Sequence, residues 1–187
     1  MAFQNTHNEF PLIEKGYKLM SFPDDMAKTH AIHSGLRAPE FVETYDVYET
    51  PSYNKRSSES TSDDQNEQEV VVADIFLGTR VNGHKGIVHG GIAALLFDDV
   101  FGFAYYSVMH KEYGAMRMGF TANLNVNYRT PLEEKTHVVM RVYLTKIERR
   151  KLFFKARLES IDGEILYSEA SSLFIMARTD TVYQNST

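Results

Sequence analysis

KGIVHGGIAALLFDDVFGFAYYSVM, residues 85–109, joins a glycine turn to a long apolar run with two acids inside it. The run reads as a buried helix. Gly90 and Gly91 stand at its entrance, where main-chain N–H groups lack intrahelical acceptors and can bind an anion. From Ile92 to Met109 nearly every helical side is apolar, which fits a helix surrounded by protein. Asp98 and Asp99 interrupt that surface, and a buried carboxylate costs on the order of several kcal/mol unless it is paired, hydrogen-bonded or at a cavity. Asp98 has Ala94, Leu95, Phe101 and Gly102 as helical neighbours, so it lies on a slim stripe with Gly91, Ala94 and Gly102 that leaves room for a ligand. Asp99 is turned about 100° away, among Leu95, Leu96, Gly102 and Phe103. That bulkier surround suits a structural hydrogen-bonder or a partly solvated acid.

Around this helix the pattern changes to strands. Upstream, FVETYDVYE (residues 41–49) and VVVADIFL (residues 70–77) have the β-branched and aromatic content of strands. Downstream, Met118–Tyr128, Thr136–Ile147, Lys151–Ile161 and Glu164–Ala177 alternate in strand fashion, with Asp162-Gly163 as a hairpin turn. The simplest architecture is α+β, an antiparallel β-sheet wrapped around one long central helix. Residues 54–69, NKRSSESTSDDQNEQE, hold no apolar side chain and read as a flexible polar loop. Pro23–Ala38 reads as a short helix with His30 and His33 three residues apart; without a third ligand in view, they read as an exposed pair.

The chain has 187 residues, a formal net charge of −5 and no cysteine. That length suits one domain with a full core. The charge gives no basic field for nucleic acid, and the missing thiols exclude cysteine nucleophiles and zinc–thiolate sites. The first 30 residues mix Lys with Asp and Glu and resemble no targeting signal, which suits a cytoplasmic or mitochondrial protein. The acids inside the central helix make a membrane span improbable. No serine sits in GxSxG, so an α/β-hydrolase esterase is not supported.

The blocks VHGGIAALLFDDVFG, TANLNVNYRTP, KIERRKLFF and LYSEASSLFI occur in order between about Val70 and Arg178. Together they resemble the hotdog-fold acyl-CoA thioesterases of the phenylacetate-degradation type, and most closely the animal proteins related to the carboxyl-terminal modulator protein. The resemblance implies a hotdog domain over 41–178, with 1–40 as an N-terminal extension and 179–187 as a tail. It implies homodimers or dimers of dimers. It assigns His89, Gly90 and Gly91 to the turn that holds the thioester carbonyl, with Gly91 N–H as donor, Asp98 as general base or nucleophile, and Thr121 as helper for water. Asn127, Arg129, Arg150 and Lys151 match positions that contact coenzyme A, which enters as part of the substrate, with no metal and no bound cofactor. His89 is read chiefly as holding the turn.

These roles agree with elementary chemistry. Negative charge on the carbonyl oxygen is stabilised by helix-terminal donors where it develops, and a carboxylate beside water can take its proton. Thr121, Asn123, Asn125 and Asn127 fall on one strand face by alternation, and Asn123 and Asn125 read as solvated. A hotdog hydratase and a non-catalytic acyl-CoA binder are the competing readings. Gly90 and Asp98 lie eight residues apart, about 12 Å along a helix axis, so one carbonyl cannot meet both within a single chain. A two-fold dimer with shared sites is the expected solution.

Overall fold

A computed structural model describes residues 12–21, 27–53 and 67–178. Its strands are β1 (Lys18–Leu19), β2 (Val42–Glu49), β3 (Gln68–Leu77), β4 (Asn82–His84), β5 (Ile87–Val88), β6 (Gly119–Tyr128), β7 (Thr136–Glu148), β8 (Lys151–Ser160) and β9 (Leu166–Met176). The central helix α1 spans Gly90–Val108 and runs on into a π-type turn, Met109–Tyr113, that ends at Gly114 with φ 68°. Seven strands form one sheet in the order β1-β2-β3-β7-β8-β9-β6, every neighbouring pair antiparallel, while β4 and β5 make a small separate hairpin. This is the helix-and-sheet architecture expected from the sequence.

Alternation decides which face of each strand meets α1. Val71, Ala73, Ile75 and Leu77 of β3 are fully buried, as are Leu96, Phe97, Val100, Phe101 and Ala104 of the helix. Burying each large side chain contributes roughly 1.5–3 kcal/mol, so this contact dominates the fold's stability. The other face of the sheet has its own small cluster, Leu12, Tyr48, Val72 and Val139 with Tyr17 packed against it. That second layer explains why VVVADIFL reads as a continuous apolar run rather than an alternating one.

By length and composition Gly90–Tyr113 would pass for a membrane span. In this structure it is the core helix, enclosed by the sheet that it organises.

Several boundaries differ from expectation, each for a local reason. Residues 54–66 of the polar loop lie outside the described residues. Gln68 and Glu69 belong to β3, because Glu69 accepts from Arg141 Nη1 at 3.0 Å and from the Tyr17 hydroxyl at 2.8 Å. Cross-strand partners override the local polarity there. The segment read as an N-terminal extension adds β1 to the sheet and lays a π-type turn, Ala31–Leu36, against the core through Ile32, which is fully buried. Residues 23–26 of the helix expected over Pro23–Ala38, and the tail 179–187, lie outside the described residues.

Strand β6 is the sheet's exposed edge. Nearly all of its side chains are accessible, with Phe120 at 56% and Tyr128 at 55%. A ten-residue edge strand leaves a row of N–H and C=O groups without sheet partners on one side.

Candidate active site

The entrance of α1 is built by main-chain contacts that aim His89 and both glycines. Val88 N–H donates to Leu132 O at 2.9 Å and His89 N–H to Val81 O at 2.8 Å, which fixes the residue before the helix. His89 is the N-cap, with φ −65° and ψ 130°, and its Nδ1 accepts the Gly91 N–H at 2.8 Å. An imidazole in place of the usual Ser or Asp satisfies one of the first-turn donors. His89 thus caps the turn, and the cap changes which amide is available. Gly91 N–H is engaged, and among the described residues Gly90 N–H has no acceptor. Tyr128 closes over the turn, its hydroxyl donating to Gly90 O at 2.8 Å. A Cβ on Gly90 would stand 3.2 Å from Tyr128 Cζ, and one on Gly91 2.9 Å from His89 Nδ1. Alternation along β6 does not reveal where this phenol tip reaches.

The second group sits two turns along the helix. Thr121 Oγ1 donates to Asp98 Oδ1 at 2.8 Å, joining two residues that are 23 apart in sequence. Alternation had put Thr121 on the face of Asn123, Asn125 and Asn127. The register shift between Thr121 and Asn123 puts an extra residue, Ala122, in β6. Thr121 therefore stands opposite Phe174, whose neighbours Ser172 and Ala170 on that face are also buried, and it points toward α1. Asn127 stays on the outer face, where its Nδ2 donates to Asn125 Oδ1 at 3.4 Å.

Asp99 is the structural acid of the pair. Its Oδ2 accepts from the buried Tyr45 hydroxyl and its Oδ1 lies 2.9 Å from His30 Nε2. Burial pushes the Asp99 carboxyl above its ordinary range, the Tyr45 hydroxyl and the His30 charge oppose the rise, and the Asp98 charge adds to it. Burial and the same carboxylate raise Tyr45 well above a usual phenol. Burial, followed by the charges of His30 and Arg37, lowers the His33 imidazole. A cavity of about 380 Å³ opens beside these groups, lined by residues 29–32 with Leu95, Asp98 and Asp99.

The expected coenzyme A contacts divide between the two groups. Arg129 pairs with Glu169 through Nε at 3.1 Å, near the Gly90 end of β6. This pair is exposed and worth only about 0–1 kcal/mol, so a phosphate can displace the carboxylate. Arg150 Nη1 donates to Met176 O at 3.0 Å, and Lys151 is exposed at the start of β8. Lys151 pairs with Ile175, which pairs with Phe120, so the basic turn lies at the Thr121 end of β6. Seven residues separate Thr121 from Tyr128, roughly 20 Å of strand. The two groups therefore stand well apart on one chain.

Residues 85–167 match the family model described as thioesterase superfamily. That stretch, less than half of the chain, is similar to the thioesterase superfamily. Acyl-coenzyme A thioesterase THEM4 of Mus musculus is 42% identical over 98 residues, 52% of this chain and 39% of that protein. Acyl-coenzyme A thioesterase THEM5 of Homo sapiens is 28% identical over 103 residues, again 39% of its length. The chain thus matches about two fifths of these relatives. A thioesterase from Haemophilus influenzae superposes with a TM-score of 0.57 at 13% identity, covering 85% of this chain and 93% of that one. A hypothetical thioesterase from Streptococcus pneumoniae, solved with coenzyme A, gives 0.51 at 15% identity, covering 60% and 86%. At such identities these superpositions show the fold alone, the antiparallel sheet and central helix of hotdog-fold thioesterases.

Proposed function

We propose that this protein hydrolyses acyl-CoA thioesters, to a free acid and coenzyme A, in composite sites shared between two subunits. The observation that carries the reading is the Asp98–Thr121 pair beside the cavity, standing about 12 Å along α1 from the Gly90 amide that it must cooperate with. The curated relatives' names supply the reaction class.

Pairing β6 with its mate in antiparallel fashion, centred on Asn125, sets Thr121 of one chain opposite Tyr128 of the other once the Ala122 bulge is counted. The partner subunit's Gly90 then faces Asp98, and the stripe of Gly91, Ala94, Asp98 and Gly102 lets two helices approach. In such a site the thioester oxygen accepts from Gly90 N–H at the positive end of the helix. Asp98 either takes a proton from water as the water attacks the carbonyl, or attacks the carbonyl itself. In both routes the tetrahedral intermediate collapses with loss of the coenzyme A thiolate, which gives the free acid at once in the first route and an Asp98–acyl anhydride, then hydrolysed by water to the acid and the free carboxylate, in the second. Thr121 donates to one Asp98 oxygen and leaves the other for this work. The cavity receives the acyl part. Arg150 and Lys151 on one chain and Asn127 and Arg129 on the other bind the nucleotide phosphates through charge-assisted hydrogen bonds.

The reading is tested by incubating the protein with a panel of acyl-CoA esters of graded length, aryl esters included, and following free thiol. Release from at least one ester supports it, and no release from any ester defeats it. Arg150→Ala with Lys151→Ala is expected to raise KM for coenzyme A esters about tenfold or more while kcat changes little. Short thioesters without the nucleotide should be indifferent, and added salt should imitate the substitutions, because exposed charges are screened over about 8–10 Å. Equal losses on both substrate kinds would make the basic turn a structural element.

A further inference from the structure

We propose that His30, His33 and Asp99 form a binding site for a zinc-class divalent metal, which fastens the segment 27–37 to the central helix. One ligand atom from each of the three lies within 4.8 Å of the others. Sequence spacing offered only the two histidines; the third ligand comes from α1, 66 residues beyond His33. The set is held from both sides. His30 is the N-cap of the Ala31–Leu36 turn, with Nδ1 3.5 Å from His33 N and Nε2 2.9 Å from Asp99 Oδ1; a metal on Nε2 would replace the proton there and leave Nδ1 protonated, releasing the His33 N–H. Asp99 Oδ2 accepts from the buried Tyr45 hydroxyl, the outer contact that orients a ligating carboxylate. The His33 ring packs against Tyr45 and Phe103, with centroids at 5.7 and 6.2 Å, so it is aimed inward.

The donor set selects the metal. Two imidazoles and one carboxylate suit zinc and its neighbours in the first transition row, whereas magnesium and calcium favour all-oxygen shells. Zinc bonds to nitrogen and oxygen are about 2.0–2.2 Å, which puts ligand atoms about 3.3 Å apart. A small swing of the His33 ring closes the trio to that spacing. His30 and Asp99 also line the cavity beside Asp98, so the fourth position opens there to water. Among the described residues, Ile32 is the apolar anchor of the 31–36 turn, and a metal would add a second fastening that holds one wall of the cavity. The site does not depend on the proposed thioester chemistry.

The test uses the whole chain, stripped with a chelator and titrated with Co²⁺, Zn²⁺ and, as a control, Mg²⁺. The chain has no cysteine, so a four-coordinate Co²⁺ spectrum would report only nitrogen and oxygen ligands. The expected result is one Co²⁺ per chain with visible bands, displaced by Zn²⁺, and a Tm raised by Zn²⁺ but not by Mg²⁺. His33→Ala and His30→Gln should each abolish the bands and weaken Zn²⁺ binding by more than about 100-fold. Tyr45→Phe keeps all three ligands and should weaken it about 10- to 100-fold. Using two histidine variants keeps the comparison valid if one of them folds poorly. His84→Ala should change nothing. Absence of stoichiometric binding at micromolar metal, or binding unchanged in both histidine variants, would overturn the proposal.

Discussion

Asp98→Asn is expected to lower kcat for acyl-CoA hydrolysis by about 10²- to 10⁴-fold, with KM and Tm nearly unchanged. The amide keeps the shape of the side chain and still offers an oxygen to the Thr121 hydroxyl, now at 2.8 Å from Asp98 Oδ1. It removes the charge that takes the water proton or attacks the carbonyl. Asp99→Asn should behave in the opposite way. Both Asp99 oxygens are engaged, by Tyr45 and by His30, so that substitution disturbs the attachment of residues 30–36 and appears first as a lowered Tm. Steady-state kinetics with a thiol readout, beside thermal unfolding of the same samples, separates the two acids. Near-normal turnover in Asp98→Asn, with loss in Asp99→Asn, would reverse their roles.

Gly90→Pro is expected to cost about 10²- to 10³-fold in kcat, the usual cost of losing one oxyanion donor. Gly90 is the first residue of α1, where proline is well tolerated because its missing N–H has no intrahelical acceptor to lose. The preceding His89 already has φ −65° and ψ 130°, the extended conformation favoured before proline. The fold should therefore survive while the donor disappears, with the Tyr128 ring, whose Cζ stands 3.2 Å from the new Cβ, giving way by a few tenths of an ångström. Gly91→Ala keeps its N–H but places a methyl group 2.9 Å from His89 Nδ1, so it should disturb the cap and cost about 1 kcal/mol of stability. If Gly90→Pro is close to wild type in kcat, the amide of Gly91 is the donor after all and the His89 cap must open during the reaction.

The helix, the sheet and the different surroundings of the two acids were legible because each depends on local pattern. The small residues around Asp98 mark an approachable face, and the bulky ones around Asp99 mark a packed one. What escaped depends on contacts between distant segments. The Ala122 bulge reverses the face of Thr121, yet no residue type announces it; the bond to Asp98 is visible only once β6 is laid beside α1. The choice between Gly90 and Gly91 turns on which amide His89 Nδ1 accepts, a matter of rotamer rather than spacing. Asp99 as a partner of His30, and Tyr128 as a partner of Gly90, are likewise long-range contacts, 69 and 38 residues apart. The separation of Arg129 from the Arg150–Lys151 turn follows from register, which sets Lys151 through Ile175 beside Phe120, at the opposite end of β6 from Arg129.

The shared site is tested most directly by mixing Asp98→Asn with Gly90→Pro, unfolding them together and refolding. Random association would make about half of the dimers mixed, and each mixed dimer would hold one site with both working parts and one with neither. The account predicts that about a quarter of the wild-type activity per site returns, although each variant refolded alone remains inactive. Mixed dimers confirmed by mass but without recovered activity would contradict it.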